Sequence, residues 1–370
     1  MSRGLAAAWL LAAGVVAGLV AGAAQAHVVV QRPGLRQLLQ SAEVAVVVEF
    51  VSSLRIWEAP HGADRQEYFT LRTLETIAGE APPARFDVFP HAEGMPAWQQ
   101  GDVALLFLER TSLRPEFESL AARFPYFTIQ QTGQEWKLAG RDGKAVLAAA
   151  RAYRALGGKT AAEGRTALRS LLLQNLRSGA APLREDAVAE LVRVRSVPGF
   201  FGTPSDSEGF TALVARDAGL PLTTRVALAR ILDGLHGFSG DRAIRAITAE
   251  PLSAEERLQL VRVSGSAQDA DVSAWLAGLL ASPDATLRRE AAYALGHPWH
   301  AARAQALAAT LADPDPTVAR AALRSLGALE SSDAAAVLQR VATGPECFLK
   351  HLAQAEIRRI ASISASPAAP

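Results

Sequence analysis

The stretch 282–296, SPDATLRREAAYALG, recurs at 313–327 as DPDPTVARAALRSLG. Each matched pair is 31 positions apart: Pro283 falls on Pro314, Asp284 on Asp315, Leu287 on Val318, Arg289 on Arg320, Ala291 on Ala322, Leu295 on Leu326 and Gly296 on Gly327. A further copy lies upstream, where APLREDAVAEL at 181–191 matches ATLRREAAYAL at 285–295. Each matched position has a physical task. Pro and Asp end one helix and cap the next, setting a carboxylate at its positive end. Leu287 or Val318, with Ala four residues on and Leu295 or Leu326 eight on, makes one apolar helix face, and Ala admits a close neighbour. Gly296 and Gly327 are expected to terminate their helices. Helix pairs of about thirty residues cannot bury such faces alone, so they must stack on their neighbours in a row.

This pattern resembles the HEAT-like repeats of the short bacterial type, whose signature runs D-P-D-x-x-V-R-x-x-A-x-x-A-L-G. The arginine of that signature is present as Arg184 and Arg288, but Ala319 takes its place in the 313 repeat. Weaker copies are expected around 222–234, 253–263 and 347–360. The resemblance implies an all-α solenoid whose Asp and Arg positions form a capping and inter-repeat ladder, and whose long surface takes a protein partner.

Ahead of the repeats the texture is different. The run 44–51, VAVVVEFV, reads as a buried strand, and further strands are expected at 68–77, 85–89, 103–108, 126–130 and 134–139, the last two joined by a hairpin at Thr132-Gly133. Short strands with no intervening helices predict a small antiparallel barrel, closed so that no edge is left exposed. The order SAEVAVVVEFV, YFTLRTLETIAGE, GDVALLFLE resembles the OB-like barrel of bacterial exported proteins related to the netrin-like and tissue-inhibitor-of-metalloproteinase superfamily. Those animal inhibitors use a mature N-terminal Cys and bracing disulfides. This chain has neither, so inhibition does not carry over.

The fold class that follows is α+β multidomain: an OB-like β-barrel followed by an all-α HEAT-like solenoid. The expected division is a signal peptide at 1–26, the barrel at 27–140, connecting helices at 141–179, the solenoid at 180–362 and a disordered tail at 363–370. Arg3, the apolar run from Leu5 to about Ala23 and the small-x-small Ala24-Gln25-Ala26 predict cleavage after Ala26 and a periplasmic or secreted protein. No later stretch is long and apolar enough to cross a bilayer. Thirty-eight Lys and Arg against 37 Asp and Glu argue against a general nucleic-acid binder.

Few residues suggest chemistry. Cleavage would leave His27 at the N-terminus, where an amine and an imidazole could begin a metal site with His61 or His91. Otherwise no cofactor is expected. Cys347, the single cysteine, is expected to be a buried small hydrophobe, and His297 and His300 surface or capping groups. Gly158-Lys159-Thr160 lacks the glycine a phosphate loop needs, since Tyr153 stands there, and Glu116 and Glu118 have nothing to part their pKa values. The segment 196–211 holds Phe200, Phe201 and Phe210, candidate partner-binding anchors or else a local core under a loop. The expectation is a non-enzymatic interaction scaffold, with metal or protease binding through the β domain as the alternative.

Overall fold

The computed structural model describes residues 33–58, 65–90, 98–113, 118–121, 123–129, 136–216, 219–329 and 331–365. The chain divides into two compact units between Gly202 and Thr203.

The first unit begins with helix α1 (Leu35–Ser41), whose Leu35, Leu38 and Leu39 are buried. Among the described residues seven strands follow: β1 (Val44–Phe50), β2 (Arg55–Glu58), β3 (Arg65–Ala78), β4 (Arg85–Pro90), β5 (Val103–Arg110), β6 (Tyr126–Thr128) and β7 (Trp136–Lys137), with a single-turn helix α2 (Glu118–Ala121) before β6. Strand β1 bonds β3 on one edge and β5 on the other, and the order β1-β3-β4-β6-β5 closes back on β1. The result is a five-stranded barrel around Val44, Val46, Val48, Phe50, Phe69, Leu71, Val88 and Leu106.

Two details depart from the sequence reading. The barrel is not wholly antiparallel, because β4 and β6 pair in parallel, Val88 opposite Tyr126. Nor do β6 and β7 form a hairpin. Both lie antiparallel along one edge of β5, with Leu108 opposite Thr128 and Leu105 opposite Trp136. Strands β6 and β7 therefore run in the same direction along β5, and Thr132-Gly133 lies outside the described residues. Strand β2 went unread because it is a short, mostly exposed edge strand paired only with β3. Helices α3 (Gly140–Ala155), α4 (Ala161–Arg177) and α5 (Ala181–Val194) complete this unit. The capping box Thr160/Glu163 opens α4. Arg151 on α3 binds Glu75 of β3 through two nitrogens.

Among the described residues the second unit has helices and no strand: α6 (Pro204–Arg216), α7 (Leu222–Leu232), α8 (Gly240–Thr248), α9 (Ala254–Ser264), α10 (Ala270–Leu279), α11 (Ala285–Ala294), α12 (Ala304–Thr310), α13 (Pro316–Ala328), α14 (Ser332–Thr343) and α15 (Phe348–Ala365). The main partners of each helix are the next and the next but one along the chain. That pattern makes two rows, α7-α9-α11-α13-α15 and a second in which α8-α10 and α12-α14 are joined through residues 298–303, and it excludes a bundle around one closed centre. Three residues of the expected tail, 363–365, continue α15 instead.

Candidate interaction surface

The repeated residues build the first row. Asp284 caps α11 by accepting from Thr286 N–H at 2.8 Å, and Asp315 caps α13 through Thr317 N–H at 2.8 Å. Arg288 joins successive repeats. Its Nε and Nη2 donate to both carboxylate oxygens of Asp313 at 2.7 and 2.9 Å, while Nη1 donates to the Ser282 carbonyl at 2.8 Å. This bidentate bond holds the Asp313 carboxyl below its usual pKa. Arg225 makes the same 25-residue bridge to Glu250, at 2.7 and 2.5 Å. Where Ala319 replaces the arginine, position 344, 25 further on, is Gly344 rather than an acid, so both partners are missing together. In the first unit, Arg184 donates to the carbonyl six residues back, Ser178, as Arg288 does to Ser282.

The glycines act differently from expectation. Neither Gly296 nor Gly327 has a left-handed φ, and Gly327 lies inside α13. Their role is close approach. A Cβ on Gly296 would stand 2.9 Å from Ser325 Oγ and 3.1 Å from its Cα, and one on Gly327 would stand 2.8 Å from Glu356. Gly265, 31 residues before Gly296, meets Ala294 and His297 in the same way at 3.0 Å. Each glycine lets one row helix lie against the next.

With Leu287, Val318, Leu295 and Leu326 buried, the first row presents a recurrent outer face. Residues one period apart occupy equivalent places, giving two lines: Arg262, Tyr293, Arg324 and Arg289, Arg320, His351. Tyr293 is 41% exposed and Phe348, at the start of α15, 48%. The Arg320 guanidinium carbon lies 4.8 Å from the centre of the Phe348 ring. Arg289 and Arg262 share Glu290, at 3.0 and 3.5 Å. Arg320 and Arg324 form no ion pair among the described residues, and α13 carries no carboxylate. His351 pairs with exposed Glu346 at 3.1 Å. The 31-residue step sets Arg289 against Arg320. Tyr293 lies one turn after Arg289 in the same register, and Phe348 lies one turn before His351.

Other titratable groups are placed structurally. His300 is buried, against expectation: its ring nitrogens meet Ser273 Oγ and the Gly265 carbonyl, each at 3.1 Å, and burial lowers its pKa. Both nitrogens are thereby occupied. His297 stacks on Trp299, with ring centres 4.9 Å apart. In the first unit a polar cluster lies where α1 meets α5. Asp186 accepts from Leu35 N–H at 2.7 Å, Arg36 reaches Glu190 at 2.5 Å and Arg193 donates to Glu190 at 2.8 Å. The other Asp186 oxygen is buried without a hydrogen bond. Burial, with the negative charge of Glu190, raises the Asp186 pKa to about 6. Tyr153, bonded to Asn175 at 3.2 Å, is pushed well above its ordinary value, first by burial and then by Asp186 and Glu190.

Several candidates from the sequence resolve otherwise. Phe200, Phe201 and Phe210 are 1%, 8% and 0% exposed, so they are core residues and not binding anchors. Phe200 and Phe201 pack edge to face at 4.8 Å, with Arg169 over Phe200 and bonded to its carbonyl. Phe210 is inside helix α6, where the apolar face takes it inward. Cys347 is exposed rather than buried, because it precedes α15 in a turn. His27, His61 and His91 lie outside the described residues, and among the described residues no group of three His, Cys, Asp or Glu could hold a metal.

A family of HEAT repeats matches residues 272–358. No curated protein matches the chain in sequence. Among solved structures, human deoxyhypusine hydroxylase in complex with glycerol is 20% identical, covering 58% of this chain and 85% of its own, with a TM-score of 0.29. An engineered protein is 22% identical, covering 53% of this chain and 96% of its own, with a TM-score of 0.30.

Proposed function

Since this chain carries HEAT repeats over 272–358 behind a small β-barrel, we propose that it is a non-enzymatic interaction scaffold, exported to the periplasm or beyond, that binds another protein through its helical repeats. The observation that supports this reading is the two-row stack itself. Its polar investments, the Asp caps and the Arg288–Asp313 bridge, hold helices in register. The outer face of one row is left exposed with cationic and aromatic side chains. Rows of this kind offer a long, repetitive surface in place of a single concave pocket. Among the described residues, the groups with displaced pKa values sit in helix caps, ion pairs or buried contacts rather than in facing acid and base roles. No helix among them is long and apolar enough to cross a membrane.

The test is cross-linking of the full-length protein in its native host, followed by mapping of the cross-linked positions. Cross-links from the helices at 254–365 to one recurrent protein are expected. Failure to link any protein through these helices, together with turnover of a small molecule by the purified chain, would refute the scaffold reading. Fractionation of the same cells tests export: the protein is expected outside the cytoplasm and shortened to begin at His27.

A further inference from the structure

Resting on the scaffold reading, we infer that the outer face of α11, α13 and α15 binds an extended acidic protein segment with a carboxylate at about every third residue. Three observations carry this. First, α13 exposes Arg320 and Arg324 one helical turn apart, with no carboxylate on the helix and no ion pair for either among the described residues. Several other arginines of the array are matched, Arg225 with Glu250, Arg230 with Asp241, Arg245 with Asp271 and Arg288 with Asp313, whereas Arg320 and Arg324 are neighbours on one helix face with no such partner among the described residues. Two neighbouring cations on a helix that carries no carboxylate of its own are open to an anion supplied from outside.

Second, the chemistry favours carboxylates on a peptide. The Arg320 guanidinium lies over the Phe348 ring at 4.8 Å, which holds the fork in place and leaves its N–H edge to bind a carboxylate in bidentate fashion. Tyr293 and Phe348, both exposed, give apolar area for side chains between the acids. Over the whole chain, 38 basic against 37 acidic residues provide no field suited to a nucleic-acid backbone.

Third, the spacing fits. Arg289 and Arg320 stand at equivalent places on adjacent row helices, and packed helices lie about 8–10 Å apart. A polyproline-II segment advances roughly 9 Å in three residues and returns to the same face. Glu or Asp at every third position of such a segment therefore meets Arg289, which also borders Glu290, and then Arg320, without requiring the segment to fold.

Fluorescence anisotropy of the full-length protein tests this with labelled thirteen-residue peptides. One carries Glu at every third position and a single Phe, one clusters the same glutamates, and one replaces Glu by Lys. The spaced peptide is expected to bind, and to weaken about tenfold as salt rises from about 50 to 300 mM. Arg320→Glu with Arg324→Glu should weaken it by about 30-fold or more while the thermal melt is unchanged. Arg320→Lys with Arg324→Lys should restore part of the affinity. Equal binding of the clustered or Lys peptide, no effect of charge reversal, or tighter binding of single-stranded DNA or phosphatidylglycerol vesicles overturns the proposal. A photo-cross-linking residue at Tyr293 separates the two readings. A partner that links through other repeat helices but not through 293 removes this surface and leaves the scaffold standing. No link from any repeat helix removes both.

Discussion

The buried carboxyl of Asp186 makes stability depend on pH in a sense opposite to most acidic groups. Its ordinary value of 3.8 rises to about 6 in the folded chain, chiefly through burial. The folded state thus keeps a proton that the unfolded chain releases, so this group's contribution is complete below pH 4 and is lost as pH rises to about 6. At about 1.4 kcal/mol for each pH unit, the loss amounts to ~3 kcal/mol. Asp186→Asn retains an oxygen for Leu35 N–H and removes the charge whose second oxygen is buried without a hydrogen bond. Arg36, Glu190 and Arg193 are present in both proteins, so the difference reports the Asp186 charge together with its interactions with Glu190 and Arg193. Urea denaturation of both proteins from pH 4 to pH 7 is the assay, with hydrogen exchange of peptide 35–41 to localise the effect. The variant should gain ~3 kcal/mol on the parent across that range. A difference profile that is flat, or that falls with rising pH, would show that Asp186 is ionised without penalty and that the reasoning from burial is wrong.

Other substitutions separate packing from binding. Phe210→Ala should cost about 3–5 kcal/mol in denaturation, because the ring is fully buried; an exposed anchor would leave stability unchanged. Gly296→Val should lower the melting temperature of the helical unit, since even its Cβ would stand 3.1 Å from Ser325 Cα, and circular dichroism would show it. Asp284→Ala removes a helix cap and should cost about 1 kcal/mol, while Asp284→Asn should cost much less. Gly34→Ala should loosen α1, because its Cβ would fall 2.4 Å from Asp186 Oδ1, and faster exchange of the 35–41 amides is the readout.

Much of this architecture could be read from residue order alone. A 31-residue step that carries Asp, a β-branched or Leu residue, Ala, Leu and Gly specifies helix starts, an apolar face and close stacking, all of which are local or nearest-neighbour demands. Runs such as VAVVVEFV likewise specify strands, since alternation and β-branching act over a few residues. The tertiary structure decided matters that depend on partners far along the chain. The parallel pairing of β4 with β6 is one, for nothing within either strand states its neighbour. The burial of Phe200, Phe201 and Phe210 is another, because Phe200 meets Arg169, 31 residues away in sequence, and Phe210 belongs to the buried face of α6. Arg288 finds Asp313 only once the repeats stack, and Asp186 acquires its altered affinity for a proton only when α1 covers it. Periodicity is legible in sequence because each repeat sees the same neighbours. Burial and ionisation of a given side chain are properties of the packed assembly, where solvent is excluded by residues that sequence order leaves distant.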